Sequence, residues 1–595
     1  GVEVEVFPHP LAKPDKGSGI AMVCTFGDLT DVTWWRELQL PTRTLIGRDG
    51  RFAAQAPEWI TATAARELYL EKIAGKTVFS AKENVVAALT DADLLDGEPK
   101  KITHAVNFFE KGDKPLEVVT SRQWYIRNGG RDADRRAELI GRGRELNWHP
   151  EHMRHRYENW VDGLNGDWLV SRQRFFGVPI PVWYPLDGEG EPDYENPILP
   201  AGDALPVDPA AEPAPGYDEA QRDVPGGFTG DPDVLDTWAT SSLTPQIVGR
   251  WSRDDAFFES VFPFDLRPQG HDIIRTWLFS TAVRAHSLND AAPWKNTALS
   301  GWILDPDRKK MSKSKGNVVV PTDILDQFGS DAVRYWAASA RLGADTAYEV
   351  AQMKIGRRLA IKLLNASKFV LNLGATADSV IGAGQEAAAV TNSLDAALLA
   401  RLATTIEQAT AAFEAYDYAR ALNVTEQFFW QFTDDYVELV KDRAYGGHGE
   451  AEQASVVTTL ATTLDALLRL LAPFQPFATE EVWSWWRAGS VHLAAWPSAD
   501  TLAGMAGTAD AEVLAVVAEA LSGVRKAKSE AKVKQRTEVR SATVTAPAEA
   551  LERLRGGLAD LKAAGNIAEL DLVEGVPSDD QQLAVSDVQL APAED

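Results

Sequence analysis

A single cysteine, Cys24, in 595 residues excludes an internal disulfide and a multi-cysteine zinc site. No apolar run approaches the ~18 residues that a membrane span needs, and no charged-then-apolar leader opens the chain. A cytoplasmic protein is the expectation. The first residues, Gly1-Val2-Glu3-Val4-Glu5-Val6, alternate like a strand and lack an initiator methionine, as if the sequence starts inside a domain. Positive charge is scarce: 60 Lys and Arg against 86 Asp and Glu leave a net charge of −26. That balance argues against indiscriminate nucleic-acid binding.

What is present reads as an ordinary globular composition, 45% hydrophobic and 25% charged, over a length that suggests roughly three to five domains. The few cations are clustered. Lys354, Arg357, Arg358, Lys362 and Lys368 follow one another with no acid between 351 and 370. Arg525, Lys526, Lys528, Lys532, Lys534, Arg536 and Arg540 stand against Glu530 and Glu538. Local basic tracks on an acidic body suit selective grip on a structured polyanion, and solvated helix faces would give the same pattern.

Gly17-Ser18-Gly19 precedes an apolar stretch over 20–24 that reads as a buried strand. No lysine follows at P-loop spacing, so its value as a phosphate loop is small. Asp28 and Asp31 come next, and Asp28 is placed to cap a helix starting near Asp31; alternatively one of these carboxylates holds a substrate ammonium. Helices are predicted over 59–74 and 81–92, then short strands over 102–109 and 116–125. Residues 178–184 read as a strand entering a new domain. The Pro-, Gly- and acid-rich stretch 185–230 reads as a solvent-facing insertion.

Three segments then carry chemistry-bearing residues. In Asp236-Thr237-Trp238, a tryptophan among small hydroxyl residues either walls a small apolar pocket or is plain core. Gly270-His271-Asp272-Ile273-Ile274 reads as strand, glycine turn and helix start, a geometry that lets a nucleotide approach the backbone. His271 taken alone is more often an ordinary surface histidine than a catalytic base. A strand over 296–303 leads to Arg308-Lys309-Lys310-Met311-Ser312-Lys313-Ser314-Lys315-Gly316-Asn317, which ends on a turn pair before an apolar strand over 318–320. Such a loop can wrap a polyphosphate with ammonium charges and backbone donors, or be merely solvated. Strands and helices alternating with glycine turns predict an open parallel α/β sheet. Beyond 351 the pattern is helical, with apolar residues three and four apart.

These residues resemble the class I aminoacyl-tRNA synthetases of the valine, isoleucine and leucine group. Lys310-Met311-Ser312-Lys313-Ser314 matches their KMSKS signature letter for letter. Trp168, Ser171-Arg172-Gln173-Arg174 and Gly177 match the segment after the inserted editing domain, and Asp236-Thr237-Trp238 with Gly270-His271-Asp272-Ile273-Ile274 resemble the valine branch. The resemblance implies an α/β fold: the C-terminal part of a Rossmann-like catalytic domain over 126–350 with the insertion 185–230. Before it would stand a partial β-rich editing domain over 1–125. After it would follow an α-helical anticodon-binding bundle over 351–500 and a small tRNA-contacting α/β appendage over 501–595, with strands over 541–544 and 569–573. The family's His-x-Gly-His element is not found, which implies that the first half of the nucleotide-binding sheet is missing and that this stretch alone activates little or no amino acid.

What the resemblance implies about chemistry is specific. ATP, with Mg²⁺, and valine would form an adenylate, and valine would pass to tRNA(Val). Lys310 and Lys313 would stabilise the phosphoryl charge. Gly270, Asp272, Lys310, Met311, Ser312, Lys313 and Ser314 would bind ATP, and Trp238 and Ile273 would shape the valine pocket. A pocket that accepts valine cannot strongly reject threonine, and valine-activating enzymes are themselves the standard illustration of that limit. A hydrolytic editing site follows, with Asp31 on the amino group and Asp28 nearby; Met22 and Cys24 stand where many family members carry Lys and Thr. The implied state is a monomer without membrane contact. An isoleucine-specific member of the group, or a tRNA-binding fragment without catalysis, are the alternatives.

Overall fold

The computed structural model describes residues 4–23, 28–47, 49–100, 106, 108, 116, 118–119, 121–312, 315–380, 390–577 and 582–592. Two compact units emerge, one of residues 1–125 with 169–171, the other of 126–168 with 172–595.

In the first unit, α1 (Leu29–Glu37) opens on Asp28, whose carboxylate accepts the amide of Thr30 at 2.7 Å. The helices predicted over 59–74 and 81–92 form as α2 (Thr63–Leu68), which runs on as a π turn over Tyr69–Ile73, and α3 (Val78–Asp91), capped by Thr77. Glycine turns at Gly17 and Gly19 are present, with φ of 64° and 77°. The buried strand expected behind them is not: among the described residues 20–23 have no strand partner, and Ile20 and Met22 are largely exposed. An apolar run becomes a strand only when a neighbouring edge takes up its backbone groups. Cys24 and most of 102–109 lie outside the described residues.

The second unit opens with α4 (Ala133–Glu145), β1 (Asn147–His149) and α5 (Arg154–Asp162). A two-stranded antiparallel ladder of β2 (Trp183–Pro185) and β3 (Phe228–Gly230) closes the insertion at its neck. Pro179 and Pro181 offer no N–H, so the strand predicted from 178 is regular only from Trp183; before it Val178 and Ile180 bond singly across to Leu235 and Asp233, at 2.7 and 3.4 Å. The insertion is more than a solvated excursion. Trp183, Ala214 and Phe228 form a small core of its own, with Ile198, Val207 and Tyr217 against it.

Then come α6 (Thr237–Ser241), β4 (Phe264–Gly270), α7 (Phe279–Asn289) and β5 (Trp294–Ser300). The strands form a parallel sheet in the order β1-β5-β4, as the alternating pattern predicts. Its core joins Leu139, Trp148, Tyr157, Ile274, Leu278, Val283 and Leu299. β4 is an edge strand with Pro268 inside it, and Leu266 and Pro268 are exposed. The single strand expected over 296–303 is two: β5 stops at Ser300, and β6 (Ile303–Leu304) pairs in parallel with β7 (Thr346–Ala347). Gly301 lies at the break, where a Cβ would come 2.2 Å from the Ala344 carbonyl oxygen. Between β6 and β7, α8 (Pro321–Phe328) and α9 (Ser330–Ala338) form, and the strand expected over 318–320 is absent. Val318 and Val320 are exposed without a partner strand, and Pro321 starts a helix at its N1 position.

A helical bundle follows: α10 (Val350–Asn372), α11 (Ser393–Glu414), α12 (Tyr418–Gln431), α13 (Val437–Ala444), α14 (Glu450–Leu471) and α15 (Pro476–Ser484). Leu398, Leu402, Phe429, Phe432, Leu467 and Leu468 are fully buried in it. By length and mean composition α14 is apolar enough to cross a membrane, although Asp465, Arg469 and its threonines leave no unbroken apolar run of that length. It is the central helix of the bundle, and most of it is buried by its neighbours. The chain continues through α16 (Glu512–Glu530), β8 (Val539–Ala546), α17 (Ala548–Arg555), α18 (Leu558–Gly565), β9 (Ile567–Glu574) and β10 (Ala584–Leu590). β8 is the middle strand, parallel to β9 and antiparallel to β10, a third strand that the sequence reading omitted.

Candidate functional site

β4 and β5 end together, Gly270 opposite Ser300, and the carboxyl ends of parallel strands are where open α/β sheets bind ligands. At Gly270 a Cβ would lie 2.7 Å from Asp272 Oδ1, so glycine leaves room that a side chain would fill. The chain then makes a tight turn over His271–Ile273 and a π turn over Ile274–Leu278 before entering α7. Asp272 is exposed and Ile273 half-buried. A cavity of about 400 Å³ bounded by Arg142, Asn147, Asp290 and Trp294 lies at the opposite, amino ends of the strands and takes no part.

His271 is buried rather than a surface residue. Its Nδ1 meets Arg156 Nη1 at 2.6 Å. Because a guanidinium only donates, Nδ1 accepts and the ring proton sits on Nε2, 3.7 Å from Asp345 Oδ1. The ring tilts against Trp302 at 4.8 Å, and Lys310 Nζ lies 4.1 Å from the centre of the same indole. Asp345 also accepts the Trp302 amide at 2.8 Å. Lys310 is thereby held by a cation–π contact at the strand ends.

The basic loop is tied at both sides by Asp305 and Asn317. Asp305 Oδ1 accepts the amides of Asp307 at 3.0 Å and Lys309 at 2.7 Å, and Oδ2 accepts Asn317 Nδ2 at 2.8 Å. Asn317 Oδ1 in turn accepts the Ser312 amide at 3.0 Å. The Lys309 amide, with Asn317 second, holds the Asp305 carboxyl below the ordinary carboxylate range. Met311 Sδ accepts the Val319 amide at 3.4 Å. Lys313 and Ser314, two of the predicted ATP ligands, lie outside the described residues.

Asp236 caps α6 through the Trp238 amide at 3.2 Å and accepts Arg172 Nη2 at 2.8 Å. Gln173 Nε2 donates to Asp233 Oδ2 at 2.9 Å. The Arg172-Gln173 segment therefore buttresses the turn that presents Trp238, which is half-buried. Trp277 Nε1 donates to the Ser241 carbonyl at 3.2 Å, which ties the segment bearing Ile273 to the helix bearing Trp238. Arg267 lies flat on the Trp277 ring, 3.1 Å from its centre, and burial pushes its pKa down to about 10.

In the first unit Asp28 is the cap described above, and its amide contacts, that of Thr30 first, lower its pKa. Asp31 stands in the first turn of α1 and is buried. The two basic tracks differ. On α10, Lys362 pairs with Asp434 at 2.9 Å, Arg358 lies over Trp430 and Lys368 over Trp485. In the second track Lys528 is buried, not solvated.

Sequence reasoning missed Asp305, Trp302, Arg156 and Trp277. Of these only Trp277, four residues after Ile273 and so one helical turn away, left a local signal.

A family model described as tRNA synthetases class I (I, L, M and V) matches residues 28–349, and one described as the anticodon-binding domain of tRNA ligase matches 395–544. A protein named valine–tRNA ligase from Thermobifida fusca is 60% identical over 594 residues, covering 100% of this chain and 66% of that protein. Its namesake from Cutibacterium acnes is 58% identical over 577 residues, 97% of this chain and 65% of that protein. One from Leifsonia xyli subsp. xyli is 58% identical over 597 residues, 100% and 68%. The chain thus spans just under two thirds of the length of the first two relatives. From the match across its catalytic and anticodon-binding segments and these identities, the chain belongs to the valine–tRNA ligase family of class I tRNA synthetases.

Proposed function

We propose that this chain serves the ATP-dependent activation of valine and its transfer to tRNA(Val), with hydrolytic editing of threonyl-tRNA(Val). The observation that carries the reading is Lys310 held on Trp302 at the carboxyl ends of β4 and β5, beside the room left by Gly270. Lys310 and Lys313 stabilise charge on the phosphoryl oxygens as pyrophosphate leaves. Gly270, Asp272, Met311, Ser312 and Ser314 bound the nucleotide, and Trp238 and Ile273 meet the valine side chain. Mg²⁺ enters with ATP, whose phosphates supply the oxygen ligands that this ion takes in such sites.

By the same reading 1–125 edits, with Asp31 on the amino group and Asp28 beside it, 126–350 activates, 351–500 binds the anticodon, and 501–595 contacts tRNA. Pyrophosphate exchange into ATP tests the assignment, on this chain as given and within a chain of the relatives' full length. Valine-dependent exchange that falls about 10²–10³-fold in Lys310→Ala supports it, by analogy with loss of an oxyanion donor. Preference for isoleucine, or no amino-acid-dependent exchange in either form, overturns it.

A further inference from the structure

Lys528 is a buried lysine with a defined task. It is 1% exposed, and its ammonium donates to two main-chain carbonyls, Gln535 at 2.9 Å and Gly565 at 2.7 Å. The turn between α16 and β8 is pinned around it. Gln535 Nε2 reaches back to Ser529 Oγ at 3.1 Å, and Asn566, left-handed at φ 49°, donates from Nδ2 to the Arg536 carbonyl at 3.0 Å. The amides of Val533, Thr537 and Val539 are bonded to Lys528, Lys534 and Asn566 carbonyls at 3.1, 2.9 and 2.8 Å.

What this frame presents is charge. Lys532, Lys534, Arg536 and Arg540 are exposed, and among the described residues none of them has an ion-pair partner, although acids outnumber bases 86 to 60 in the chain. The cations of α10, by contrast, are largely engaged by their own neighbours. The backbone that carries these four cations is held by its own bonds before any partner arrives, so contact has only their side-chain entropy left to cost.

We infer that the turn 531–540, pinned from below by Lys528, is a preformed docking surface for the phosphate backbone of RNA. This rests on the reading that the chain acts on tRNA. RNA is favoured over an anionic membrane because no large apolar side chain is exposed between 525 and 540 to enter a lipid interface, and because the anticodon-domain match runs through this turn. Lys528 acts as a positioning residue: it touches no phosphate itself.

The test is binding of the 595-residue chain to a transcript of valine-accepting tRNA over a salt series. Replacing Lys532, Lys534 and Arg536 together by alanine should weaken binding about tenfold at low salt and flatten the slope of log affinity against log salt by about two, at ~0.7–0.9 per phosphate contact. Lys528→Met leaves every exposed cation in place. It should weaken binding about threefold with the slope retained, and speed hydrogen exchange at Val533, Thr537 and Val539. An unchanged affinity and slope in the triple variant overturns the inference alone. Failure of the unchanged chain to bind the transcript overturns the tRNA reading and the inference with it. Tighter binding to phosphatidylserine vesicles than to the transcript, lost in the triple variant, overturns the assignment to RNA.

Discussion

Asp305 does at one position what a loop needs at three. Its carboxylate takes two amides from the turn and the amide side chain of Asn317, and so closes the basic loop before any ligand is bound. Because these donors lower its pKa, the contribution is complete above the ordinary carboxylate value of about 3.9 and is lost as pH falls through the lower folded value. Hydrogen exchange followed from pH 7 to 3 should show the Asp307 and Lys309 amides protected down through pH 4. In Asp305→Ala they should exchange freely at every pH; equal protection in both proteins would refute this role. Lys310, Gly270, Asp272 and Asp236 were legible in the sequence because each belongs to a short motif. Their partners were not: Arg156 lies 115 residues from His271 and Arg172 lies 64 from Asp236, and no local periodicity reports contacts at such separations.

Helix α15 shows how one element borrows its ending from another. Pro476 at its first position has no N–H to satisfy, and the next two amides, Phe477 and Ala478, are taken at 3.1 and 2.7 Å by the two oxygens of Asp331 in α9. Burial raises the Asp331 pKa, with the two amides pulling the other way. Ionisation therefore costs stability as pH rises through the window between the ordinary and the raised value. Asp331→Ala should lower unfolding free energy by about 1 kcal/mol, as loss of a cap does, and Asp331→Asn should recover only part of it, because its single acceptor oxygen serves one amide and its NH₂ faces the other; urea titrations at pH 7 measure both. The helices were readable from their spacing of apolar residues. Among the described residues, 20–23 and 318–320 form no strand where one was expected, since β-branched and apolar composition marks a strand only where another strand is there to pair with it.

At the scale of the whole second unit, one buried ion cluster joins the bundle to the last ~90 residues. Arg443 of α13 donates through Nη1 and Nη2 to Asp395 of α11 at 2.8 and 2.6 Å and through Nε to Asp560 of α18 at 2.8 Å. Tyr436 and Ser455 hold the same Asp395 carboxylate, each at 2.7 Å. Burial works against the charge on Arg443, and its carboxylates more than offset this, holding the guanidinium above its ordinary value. Arg443→Met would leave two buried carboxylates uncompensated and should cost about 3–5 kcal/mol. Urea unfolding checks it, and a loss below 1 kcal/mol would show the cluster to be dispensable. The sequence did not announce this junction: of its members only Tyr436 stands in a segment, Asp434-Asp435-Tyr436, that resembles the family's bundle, and its partners lie 41 and more residues away in other helices. The class of fold was legible; the fastening between its parts was not. A different consequence follows from β4 at the margin of the parallel sheet. Such sheets are ordinarily covered, and a seven-residue edge with Leu266 facing out offers its unused peptide groups to any strand that meets it. A strand paired there would run beside Gly270, so the edge is also one wall of the room at the carboxyl ends of the strands.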